Sequence, residues 1–205
     1  MLKKMNLPNK LTMLRIVLAP LFVLFMAIPA HSSITKYVAL AIYIMASITD
    51  FLDGHIARSR GIVTKFGKIA DPLADKLLVS AGFVMLTGAG IIPAWITFII
   101  LFRDFTVSSL RMFAVNNGSD VAAVWSGKVK TTFQLIGIIF GIFSLAYGFK
   151  NVAMFSFITN YSNMGLFNIV INILVTISIV IATITTLWSL VDYFNKFKKD
   201  IDVEK

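Results

Sequence analysis

The chain concentrates its acidity in one short stretch. Of ten Asp and Glu residues, Asp50, Asp53, Asp71 and Asp75 fall within 26 consecutive positions. Their spacings are three and four residues, so on helices each pair presents both carboxylates to one side. Oxygen ligands of this kind suit the hard cations Mg²⁺ or Mn²⁺ better than Zn²⁺. The composition agrees, since there is no Cys and the only His residues are His31 and His55. His55 would point about 200° around a helix from Asp53, away from the carboxylates. Two cations roughly 3.5–4 Å apart could share four carboxylates and clamp a phosphate, so displacement at phosphorus is the chemistry to expect. A helix cap, or a partner for Arg58 or Lys76, would explain one such Asp but not two paired sets.

The residues between the carboxylates are small. Gly54 and Ala57 leave space beside Asp50 and Asp53 where a flat base or a phosphate could approach the backbone. Gly67 and Ala70 could do the same on the opposing helix, although small residues in membrane helices also serve close packing. Pro72, directly after Asp71, is expected to start or kink the third helix; a start would add a positive dipole end.

The elements that hold these residues have to be membrane helices. Of 205 residues, 58% are apolar and 14% charged, against roughly 25% charged in soluble chains. Six stretches approach the length of about 20 apolar residues that crosses a bilayer: Leu11–Ala30, Ile34–Thr49, Leu73–Thr87, Ile92–Phe113, Thr131–Phe149 and Leu166–Tyr193. The second and third continue into polar, Asp-bearing extensions toward a loop at Ser59–Phe66. Four charged Asp at the bilayer centre would cost roughly 10 kcal/mol, so they belong near an interface or beside cations. Lys3, Lys4 and Lys10 precede the first stretch as in a signal peptide. Arg15 and Pro20 interrupt it and no small-residue cleavage site follows, so this helix is expected to be retained.

No repeat or linker divides the chain. Residues 1–205 therefore read as one all-α integral membrane domain with six transmembrane helices, an amino-terminal segment 1–10 and a charged tail 195–205. Fifteen of the 19 Lys and Arg fall at the amino terminus, in the second-to-third and fourth-to-fifth loops, and in the tail. By the positive-inside rule both termini and the Asp cluster face the cytoplasm. The same charges would attract anionic membrane lipids. They hug membrane boundaries and form no separate basic domain, which excludes nucleic acid as a partner.

Asp50-x-x-Asp53-Gly54-x-x-Ala57-Arg58, eight residues, then Gly67-x-x-x-Asp71-x-x-x-Asp75, resembles without a departure the signature of CDP-alcohol phosphatidyltransferases. The resemblance implies six transmembrane helices around a cytoplasm-facing polar cavity, a homodimer in a bacterial cell membrane, and transfer of a phosphatidyl group from CDP-diacylglycerol to an alcohol with release of CMP. It implies that Asp50, Asp53, Asp71 and Asp75 hold two divalent cations, with Asp75 also the catalytic base. Gly54, Ala57, Arg58 and Gly67 would then face the CDP moiety.

Asn6-Leu7-Pro8-Asn9-Lys10-Leu11-Thr12-x-x-Arg15, together with Arg103-Asp104, Ser109-Leu110-Arg111 and Gly127-Lys128-x-Lys130-Thr131-x-x-Gln134, resembles the bacterial phosphatidylglycerophosphate synthase branch. That branch implies glycerol 3-phosphate as acceptor, and a phosphate acceptor needs cations: Arg111, Lys128 and Lys130 are the candidates. Lys128 and Lys130 could equally be lipid-facing charges, and Arg103 could be an ion-pair partner of Asp104 or of the Asp cluster. Other acceptors in the family would be phosphatidylglycerol, serine or an inositol compound. Outside it, a cation transporter could use the same Asp cluster, but no inverted repeat is evident. Prenyl transfer would place its acidic motifs on well-separated helices. The last two apolar stretches carry no motif.

Overall fold

Long apolar stretches with few breakers fold as helices, and in hydrocarbon the helix is the element that satisfies every backbone group internally. The computed structural model describes residues 6–28, 33–60, 65–116, 125–149, 153–159 and 164–201. Among them there are six long helices, one single turn and no strand. The long helices are α1 (Leu7–Ala27), α2 (Ser33–Arg60), α3 (Lys65–Gly88), α4 (Ala94–Asn116), α5 (Trp125–Tyr147) and α7 (Leu166–Ile201), and the turn is α6 (Ser156–Thr159).

Helix boundaries follow local chemistry. Pro8 lies in the first turn of α1, where a missing N–H costs nothing. The polar extensions expected beyond the second and third apolar stretches are helical, so α2 carries Asp50 and Asp53 and α3 carries Asp71 and Asp75. Pro72 does not start a helix. It lies inside α3, which begins at Lys65, and its missing donor is the kind of interior break that membrane helices tolerate. At the far end of α3, Gly90 takes φ +74°, a left-handed conformation that lets the Ile91 N–H return to the Leu86 carbonyl at 2.9 Å. The tail from 195 continues α7 as helix to Ile201.

The helices pack as a bundle, α1 on α2 and α3, α5 on α7 and α2, and α4 on α7. Phe22, Phe83, Leu86, Ile138, Ile142 and Ile179 are wholly buried at its centre. Gly137 sets the α5–α7 approach, since a Cβ there would lie 2.5 Å from Ile179 Cδ1.

Large apolar side chains also point outward, among them Trp95, Phe98 and Phe102 on α4 and Leu166, Trp188 and Val191 on α7. Water does not tolerate so much exposed apolar surface, whereas hydrocarbon does. Among the described residues three helices are long and apolar enough to cross a membrane, over Asn9–Ala27, Val129–Tyr147 and Leu166–Phe194. The chain is thus a helical membrane protein. Helix α7, with 36 residues, is about 54 Å long, well beyond a hydrocarbon core of about 30 Å.

Candidate active site

Polar residues interrupt the apolar pattern of every long helix, and the bundle brings several of these interruptions together. Arg15 of α1 is fully buried, and its Nη1 lies 2.5 Å from Asp50 Oδ1 of α2. The two sides of this pair differ: the Arg15 side chain is 1% exposed, the Asp50 side chain 38%. Asp75, on α3, lies within electrostatic reach of Asp50, Arg15, Lys130 and Asp104. On the same helix Gly67, Ala70 and Ala74 are buried.

A second group of charges adjoins the first. Asp104 of α4 accepts from Lys130 Nζ of α5 and, at 3.2 Å, from Nη1 of its neighbour Arg103. Arg103 Nη2 donates to the Ser189 hydroxyl of α7, and its guanidinium sits 5.7 Å from the Tyr193 ring centroid. Arg103, Lys130, Ser189 and Tyr193 are all buried. Gln134, one turn after Lys130, is buried as well, and its Nε2 has no hydrogen-bond partner among the described residues.

The arrangement settles two of the open sequence readings. Lys130 is not a lipid-facing surface charge, because it is buried against Asp104. Arg103 pairs with Asp104, one of the partners expected for it. Ser189 and Tyr193 were not anticipated. The signal available for them was a hydroxyl and a phenol four residues apart on one face of an apolar helix. The side chains of Asp53, Gly54, Ala57, Arg58, Asp71, Arg111 and Lys128 lie outside the described residues, as does His55.

Arg15, Arg103 and Lys130 offset Asp50, Asp75 and Asp104 charge for charge. The formal charges of Asp53 and Asp71, one helical turn from their partners in sequence, come on top of that balance. Among the described residues the centre is charge-balanced, and its potential metal donors are carboxylate oxygens. Divalent cations fit that donor set. Among the described residues no three metal-ligating side chains are assembled.

The sequence profile of CDP-alcohol phosphatidyltransferases matches residues 5–191. A Bacillus subtilis (strain 168) protein named CDP-diacylglycerol--glycerol-3-phosphate 3-phosphatidyltransferase is 43% identical over 143 residues, covering 65% of this chain and 74% of the relative. A Rickettsia felis protein of the same name is 39% identical over 133 residues, covering 65% and 72%. A Haemophilus influenzae protein of that name is 32% identical over 200 residues and covers 95% of both chains.

Proposed function

The chain belongs to the CDP-alcohol phosphatidyltransferase family, and from that premise we propose that it transfers the phosphatidyl group of CDP-diacylglycerol to sn-glycerol 3-phosphate, giving phosphatidylglycerol phosphate and CMP. The names of its relatives support this donor and acceptor. The observation that carries the reading is that Asp50, in contact with the buried Arg15, and Asp75 come within electrostatic reach of each other from separate helices.

Asp50, Asp53, Asp71 and Asp75 would hold two Mg²⁺ or Mn²⁺ ions. When bound, these ions neutralise the pyrophosphate and stabilise the departing CMP. Asp75 takes the proton of the glycerol hydroxyl, whose oxygen then bonds to the phosphorus that carries diacylglycerol. The bond from that phosphorus to the CMP oxygen breaks, and CMP leaves with the electron pair. Gly54, Ala57, Arg58 and Gly67 receive the CDP moiety. Arg111, Lys128 and Lys130 hold the acceptor phosphate, with Lys130 anchored meanwhile on Asp104.

The six long helices are read as six spans of one domain in a bacterial cell membrane. Both termini and the polar cavity face the cytoplasm, and the enzyme works as a homodimer. The distribution of Lys and Arg supports this orientation.

The test is CMP release by the purified protein in detergent with CDP-diacylglycerol, Mg²⁺ or Mn²⁺ and each acceptor in parallel. Release with glycerol 3-phosphate alone, abolished by chelator, is expected. Release only with phosphatidylglycerol, serine or an inositol compound would overturn the acceptor assignment, and no release at all would overturn the reaction. Lys128→Ala should raise the acceptor KM about tenfold or more, the loss of one charge-assisted contact, with little change in the donor KM. Equal changes in both would remove Lys128 from the acceptor site.

A further inference from the structure

Arg15 has no part in the reaction just described, yet among the described residues it is the most deeply buried charge of the centre. It lies behind Asp50 rather than in front of it. The carboxylate retains 38% of its exposure while the guanidinium side chain retains 1%, so Arg15 cannot itself touch a substrate entering from the open side. Its neighbours along α1, Leu18, Ala19 and Phe22, are buried apolar residues that pack the core without need of a charge.

Packing does not explain such a residue. A buried ion pair is on average no more stabilising than apolar residues of similar volume, so its presence calls for a reason other than stability. That reason is available in the neighbouring carboxylates. Asp50 and Asp75 come from different helices and lie within electrostatic reach of each other, where like charges repel. Lys130, the other cation within electrostatic reach of Asp75 among the described residues, is engaged by Asp104. Arg15 reaches both carboxylates, Asp50 by direct contact and Asp75 through space. Arginine also stays protonated in apolar surroundings in which lysine readily loses its charge.

We propose that Arg15 is a positioning residue, an internal countercation that keeps Asp50 and Asp75 assembled until divalent cations take over their neutralisation. The inference rests on the two-cation reading of the carboxylates above. Its consequence is that Arg15 matters most when metal is absent. A residue that merely filled space would matter equally in both conditions.

The experiment is thermal unfolding of the full chain in detergent, without substrate, in EDTA and in saturating Mn²⁺, with Mn²⁺ binding followed separately by electron paramagnetic resonance. Wild type is expected to gain modestly in Tm with Mn²⁺. Arg15→Gln should lose far more Tm in EDTA than in Mn²⁺, so its metal-induced gain exceeds the wild-type gain by several degrees. Arg15→Lys should fall between the two, because it keeps a charge but loses the planar fork. Equal losses with and without Mn²⁺, or no loss, would overturn the proposal. If Arg15→Gln can be purified only with Mn²⁺ present, that supports it; if it cannot be purified at all, Arg15→Lys decides by the same criterion. Absence of Mn²⁺ binding to wild type would instead overturn the two-cation reading.

Discussion

The two ends of the bundle bury polar groups in opposite ways. At one end Arg15, Asp50, Asp75, Arg103, Asp104 and Lys130 face one another as ions from five helices, with Ser189 joining from a sixth. At the other end the polar groups satisfy the backbone or one another. Lys36 Nζ donates to the Met26 and Ile28 carbonyls that end α1, at 2.5 and 3.1 Å. The Asn172 amide donates to the Ala153 carbonyl at 3.1 Å and to the Ser156 hydroxyl at 3.0 Å. Thr87 and Thr97 share a 2.6 Å hydrogen bond across the α3–α4 turn. Hydrogen bonds to backbone carbonyls and between neutral side chains close helix ends and turns, which is all that folding in an apolar solvent demands. Collected carboxylates and cations exceed that demand, and the excess supports the proposal that charged substrates are handled at this end.

Substitutions at the two ends should separate these roles. Asp75→Asn is expected to lower CMP release by about 10³-fold while leaving CDP-lipid binding and thermal stability close to wild type. Retained activity would remove Asp75 as the base and weaken the contrast most. Asp104→Asn leaves Arg103 and Lys130 buried without their anion and should cost about 3 kcal/mol of stability, since the Asp104 side chain is only 12% exposed. Thermal unfolding in detergent measures this, and pairing the change with Lys130→Met should recover part of the loss. At the opposite end Asn172→Ala removes two hydrogen bonds and should cost about 1–2 kcal/mol. Activity per folded molecule should stay unchanged. A selective loss of turnover there would mean that the two ends do not divide labour.

Much of the ionic end was legible from spacing. The Asp50/Asp53 and Asp71/Asp75 intervals place carboxylates on helices whatever the helices pack against, and both helices do extend through those residues. The Arg103–Asp104 contact was visible because the two residues are adjacent. What could not be read was rotation about each helix axis. Arg15 stood out only as an interruption of an apolar run, because its partner lies 35 residues away on another helix. Lys130 could be assigned to lipid or to substrate equally well until Asp104, 26 residues earlier, was found against it. Pro72 left two readings open, a start or an interior break, and only the extent of α3 chose the interior position, which a bundle that supplies other partners tolerates. Ser189 and Tyr193 lie on a helix with no motif, and only packing of α7 on α4 gives them a role.

The Arg15–Asp50 contact also has a consequence for insertion into a bilayer. A lone α1 entering hydrocarbon would carry an uncompensated arginine, a penalty of about 2.5–3.5 kcal/mol on insertion scales. Its remedy is on α2, near the end of that helix that enters last. Biogenesis is therefore expected to proceed by paired entry, α1 waiting at the insertion machinery until α2 arrives and the two move into lipid as a hairpin. Lys36 sits at the bend of that hairpin, tying the new helix to the carbonyls of the old one. The charge pair near one end and the lysine clasp at the other would make the hairpin an early unit of assembly, formed before α3 packs against it.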